Sequence, residues 1–200
     1  MSVPGTPRDD ATQHVVRTGP AELAGSWEFD PAHSRLGFLA PQLVITTVRG
    51  VFGDVVGSAS LDPANPHRSE VLVTIRANSI DTGNRRRDAH LSSAAYLEVD
   101  AYPIIAFRST QLRPTPDPAV WTVVGDLTIK GVTWPVELTM TYLGASGDPS
   151  NGGIRAEFEG SARINRTKWG VMWNRVIEAG GVVIGNHITL ELEIQAIKKS

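Results

Sequence analysis

The sequence predicts an all-β fold of antiparallel strands with one short helical insertion. Three observations predict it. Apolar residues recur with period two over most of the chain. Gly/Pro/Asn/Asp-rich segments punctuate those runs. Only one stretch, residues 84–97, carries helical spacing. About eight such strands suit either a barrel or a sandwich, and alternation alone does not choose between them.

The elements follow in chain order. Residues 1–25 mix Pro, Gly, acids and bases around no apolar run, which reads as a flexible N-terminal extension. The domain is placed at 26–200. Strands are expected near 26–30, 34–40, 43–52 and 54–61. The next run sets Val71, Val73, Ile75 and Ala77 against Glu70, Thr74 and Arg76, the pattern of a strand with one wet face. In the helical segment Arg87, Leu91 and Ala94/Ala95 share a face, and Thr82 or Asn84 is positioned to cap it. Arg85 and Asp88 stand at the i,i+3 spacing of a pair. A strand is expected near 103–111.

"IKGV" at 129–132 reads as a tight hairpin with Gly131 at positive φ. Beyond it Val132, Trp134, Val136, Leu138, Met140 and Tyr142 alternate with Thr133, Pro135, Glu137, Thr139 and Thr141. Proline has no N–H for a ladder, so Pro135 belongs at an edge or opening. Ile154, Ala156, Phe158, Gly160, Ala162 and Ile164 share one face of the following strand. Ile188, Leu190, Leu192 and Ile194 do so in the last.

Composition narrows the function. Two hundred residues, 41% hydrophobic, make a single domain with a real core. A formal charge of −2 argues against nucleic acid or an anionic membrane as a general partner, and "RRR" at 85–87 lacks interleaved aromatics. The absence of cysteine excludes disulfides, thiolate metal sites and a cysteine nucleophile. No secretory signal and no transmembrane segment is read, which leads to an expectation of a cytoplasmic protein. There is no G-x-S-x-G elbow and no phosphate-binding glycine loop. The five histidines show no metal-pair spacing, leaving only a convergence of His33, His90 and His187 in space. No metal and no catalytic residue is expected.

Several longer stretches go further. "SIDTGNRRRDAHLSSAAYLEVDAYPIIAFRST" at 79–110 closely resembles the signature of the YceI-like family of polyisoprenoid-binding proteins. "DPAHSRLGF" at 30–38, "VRGVFGDVVGSASLD" at 48–62, "GDLTIKGVTWPVEL" at 125–138 and "INRTKWGVMWN" at 164–174 agree in order, so the resemblance covers residues 26–197. It implies a lipocalin-like antiparallel barrel around a long apolar cavity. It also implies a bound isoprenoid quinone or polyprenyl phosphate, no other cofactor, and homodimers. The chain departs from the family in "LAPQLVITT" after Phe38, where a polar stretch is commoner.

Under that resemblance the residues fall into two candidate sets. His33, Arg49, Asn84, Arg87, Asp88, Trp169 and Trp173 are candidates for the head group or cavity mouth. An arginine there clamps a phosphate or meets a quinone carbonyl; the competing reading is that Arg87 and Asp88 tie the helix to strand ends. Trp134, Met140, Ala156, Phe158 and Ala162 are candidates for the cavity wall, where small residues leave room for a chain. The alternatives are a solidly packed barrel, or an enzyme using His33 with Asp88 on a bound isoprenoid.

Overall fold

The structure, a computed structural model, describes residues 20–42, 46–147, 152–172 and 185–199. Eleven strands form among the described residues: β1 (Gly25–Phe29), β2 (Arg35–Gln42), β3 (Thr46–Phe52), β4 (Val55–Leu61), β5 (Glu70–Arg76), β6 (Ile80–Asp81), β7 (Ile104–Pro114), β8 (Val120–Ile129), β9 (Val132–Gly147), β10 (Ile154–Asn165) and β11 (His187–Lys198). A single α-helix, α1 (Arg85–Ser92), is described.

All pairings are antiparallel, and eight strands close on themselves in the order β1-β4-β5-β7-β8-β9-β10-β11-β1. Closure removes the edges that an open sheet would expose. The barrel closes through β11, which divides its outer edge. Residues Thr189–Glu193 pair with β2, and Ala196–Lys198 pair with β1. From β2 the sheet continues through β3 to the two-residue β6.

The hairpin at 129–132 forms as its sequence requires. Lys130 and Gly131 both take positive φ, 51° and 70°, which matches the twist of the flanking strands. Pro135 faces Asp126 of β8, while β9 pairs with β10 only from Gly147 to Thr139. The proline therefore sits where β10 has left the ladder.

The helix is shorter than the spacing of 84–97 predicts. Ser93 is extended and its Oγ–H and N–H both donate to the His90 carbonyl, at 2.7 and 3.2 Å. Serine competes for backbone groups in this way and stops a helix. A tight turn follows, with Tyr96 N–H on Ser93 O and Leu97 N–H on Leu91 O. Ahead of residue 26 the described chain is already folded. Pro20–Leu23 makes a 3-10 turn whose buried Leu23 carbonyl accepts the Trp27 indole N–H at 2.8 Å.

Candidate functional site

Inward-facing side chains enclose a cavity of about 300 Å³. That lies at the lower bound of small-molecule pockets. The strand register gives the cavity two ends. At one, the start of β8 meets the end of β7 (Trp121 opposite Pro114), and Leu23, Leu61, Pro63, Ser69 and Tyr142 join Trp121 on the wall. At the other lie the 129–132 hairpin and α1, with Leu91, Tyr96, Leu97 and Leu127 on the wall. Val73, Phe107, Val123, Leu138, Phe158 and Leu192 line the waist.

Arg166 is the one charged residue on this wall among the described residues, and it is 5% exposed. Its inward position follows from the pattern of β10. Ala156, Phe158, Gly160, Ala162 and Ile164 face in, and the next residue in that phase is Arg166. Its Nε–H donates to Gly185 O at 3.1 Å and its Nη1–H to Val171 O. Burial lowers its pKa from the ordinary guanidinium value. Burial also raises that of Tyr96, against which the positive charge of Arg166 acts. The surrounding "NRTKWG" is a compact corner. The Asn165 carboxamide accepts from Thr167 N–H and Oγ1–H at 3.1 and 2.8 Å, and Gly170 closes the turn at φ 71°. Trp169, 2% exposed, donates its indole N–H to Leu127 O at 2.8 Å.

The cavity-wall candidates divide. Met140 and Phe158 line the cavity. Trp134 is a correction: it shares the inward phase of β9 but stands 42% exposed, with the Lys168 ammonium 5.1 Å from its ring centre. Its part of β9 extends beyond the last β10 partner, so the phase no longer points into an enclosed space. Ala156 and Ala162 are buried but do not line the cavity. Ala156 is packed with Leu23, Trp27, Tyr142 and Ala196. Nor does Gly160 leave a void, for a Cβ there would meet Met140 Sδ at 2.2 Å. On β10, Gly160 thus makes room for Met140, and Ala156 packs against its buried neighbours.

The head-group candidates among the described residues lie outside the cavity wall. His33 (side chain 58% exposed) contacts Asp30 through Nδ1 at 2.8 Å. Asp30 also receives Arg155 Nη1 at 2.5 Å, and the Arg155 guanidinium, with help from His33 and the Ala32 N–H, lowers its pKa to about 2. The "DPAH" segment thus fastens the β1–β2 connection to β10. Arg49 (59% exposed) pairs with Glu191 at 3.6 Å on the outer face.

Asn84 caps α1 by accepting from Arg87 N–H at 3.1 Å. Arg87 donates to Thr82 Oγ1 and Thr82 O at 2.7 and 2.8 Å. Asp88 accepts from Thr82 N–H and Oγ1–H at 3.0 and 2.5 Å. Both side chains therefore bind the segment after β6, and the Arg85–Asp88 pair expected from spacing is replaced by the Thr82 bonds. Trp169 is a core side chain, and Trp173 lies outside the described residues.

His33 and Asp88 have separate partners, and neither lines the cavity. Among the described residues no group of three His, Asp or Glu side chains is arranged to hold a metal. Among the same residues no helix is long and apolar enough to cross a membrane.

Comparison with known proteins places this architecture. A family model, the YceI-like domain, matches residues 27–196. A UPF0312 protein of Pseudomonas paraeruginosa is 37% identical over 151 residues, 74% of this chain and 78% of that one. Burkholderia cenocepacia BcnA has a crystal structure that superposes with a TM-score of 0.72 at 19% identity, covering 84% of this chain and 98% of that one. A polyisoprenoid binding domain from Saccharophagus degradans, implicated in plant cell wall breakdown, gives 0.66 at 16% identity, covering 86% and 98%. The barrel topology, the order of the motifs and these matches agree: the chain belongs to the YceI-like family.

Proposed function

We propose that this barrel binds one long apolar lipid, an isoprenoid quinone or a polyprenyl phosphate, and carries or stores it without chemical change. The observation that supports this most is the cavity itself: about 300 Å³ walled by aliphatic and aromatic side chains, with a single charged residue on the described wall. An isoprenoid tail suits such a wall because it asks for no polar partner. Burying each methylene is worth about 0.8 kcal/mol, so a five-carbon isoprene unit contributes roughly 3–4 kcal/mol before ordering costs are subtracted. The polyisoprenoid binding domain of Saccharophagus degradans, with the same fold, fits this reading.

The test is uptake. Delipidated protein is incubated with a dispersed prenyl quinone or a polyprenyl phosphate, separated by gel filtration and extracted. One lipid recovered unchanged per chain supports the carrier. A converted lipid would indicate an enzyme, and no lipid at all would indicate a barrel that takes none.

A further inference from the structure

Four large apolar side chains that the described barrel leaves in solvent gather at its α1 end. Tyr102, Val132, Trp134 and Met172 are 38% to 61% exposed. Val132 and Trp134 share one phase of β9, just past the hairpin turn. The Tyr102 ring lies over Gly131 of that turn, where an added Cβ would come within 2.9 Å of it. The corner at 166–170 joins them: Lys168 holds its ammonium 5.1 Å from the Trp134 ring centre, and Met172 lies two residues past Gly170.

Three of the four border the cavity directly. Leu127 lines it and pairs across the ladder with Trp134, and Ile129 lines it and pairs with Val132. Val171 lines it and is followed by Met172. The cavity wall thus runs out into an exposed apolar rim. Scattered apolar residues on a surface need no explanation, but a contiguous group beside a pocket marks an interaction site. The residue types identify the partner. Tryptophan and tyrosine, each with an apolar body and a polar tip, settle at the level of lipid head groups, and a lysine beside them meets lipid phosphates. Arg85 and Arg86 of α1 are exposed at the same end, with Asp81 and Asp100 exposed among them, so apolar insertion outweighs net charge in the binding.

We propose that this rim docks on the surface of a phospholipid bilayer and sets the α1 end of the cavity beside the membrane for exchange of its lipid. This rests on the carrier reading above and adds the place where loading and unloading occur. A prenyl chain is driven out of water by its apolar surface, so its carrier has to meet a bilayer to collect or deliver it. The overall charge of −2 sets the long-range field of the chain and leaves this local contact open.

The experiment is sedimentation of the full chain with vesicles of phosphatidylcholine and phosphatidylglycerol, beside uptake of a dispersed prenyl quinone, which needs no bilayer. The wild-type chain should sediment with the vesicles. Trp134→Ser and Met172→Ser should each lower vesicle affinity about five- to tenfold and leave uptake of dispersed quinone unchanged. Met172 is the most exposed of the four, so its variant keeps the test readable where Trp134→Ser disturbs the fold. Val56→Ser combined with Leu72→Ser removes exposed apolar residues from the β4–β5 wall and should leave vesicle affinity as it is. An equal loss from that control pair, or a wild-type chain that takes up dispersed quinone yet stays in the supernatant, would overturn the docking surface and leave the carrier intact. Rim substitutions that split a dimer without changing vesicle affinity would also overturn it, in favour of a second copy of the chain. A wild-type chain that takes up no dispersed quinone would sink the carrier reading itself.

Discussion

Replacing Val123 by phenylalanine sets the cavity and its occupant in direct competition. Val123 is buried at the waist of β8, faces Leu112 and Leu138 across its two ladders, and lines the cavity. A phenylalanine side chain carries four carbons more than valine's, nearly one isoprene unit. At about 0.8 kcal/mol per buried carbon, the displaced lipid segment loses up to about 3 kcal/mol. That corresponds to a rise in Kd on the order of 200-fold. The fold responds differently. In the empty protein the ring enters space that is already open, and its burial offsets the roughly 1–3 kcal/mol that overpacking costs elsewhere in a core. The delipidated variant should therefore melt within a few degrees of the wild type. The assay is a titration with a prenyl quinone followed by intrinsic tryptophan fluorescence, with calorimetric melting of the same samples. Wild-type affinity in a variant that melts normally would refute the placement of the lipid in this cavity.

The remaining predictions follow the same geometry. Ala156→Phe, at a fully buried site packed against Trp27 and Tyr142, should destabilise the fold by about 3 kcal/mol or more in urea denaturation, since no open space receives the ring. Arg166→Met should cost about 3 kcal/mol, because the Gly185 and Val171 carbonyls lose a charged donor; denaturant midpoints measure it. Arg87→Ala should lower stability by about 1–2 kcal/mol through the lost Thr82 bonds, while prenyl-lipid affinity stays unchanged. Asp30 provides a pH test. Its folded pKa of about 2 lies below the ordinary aspartate value of 3.8, so its stabilisation is complete above about pH 4 and is lost as pH falls toward 2. Asp30→Asn should flatten that part of the stability–pH profile.

Much of the fold was legible because period-two patterning reports directly which face of a strand is buried. The hairpin at Lys130–Gly131, the opening at Pro135 and the strands flanking them follow from local chemistry alone. Trp134 shows where the rule stops. Phase says which side of β9 a residue occupies, and not that β10 has ended its pairing at Thr139. The same blindness concealed that Gly160 makes room for Met140, a contact between neighbouring strands that no single strand pattern contains. His33, Arg49 and Arg87 were recognisable as unusual polar residues, but their partners Asp30, Glu191 and Thr82 are set by the fold. Arg166 was open to discovery by extending the β10 phase one step past Ile164.

The most direct test of the central claim is native mass spectrometry of the protein purified from its own host, followed by extraction and identification of whatever is released. The account predicts one prenyl lipid per chain, leaving with its mass unchanged. A protein that arrives empty and also refuses added prenyl quinones and polyprenyl phosphates would contradict it.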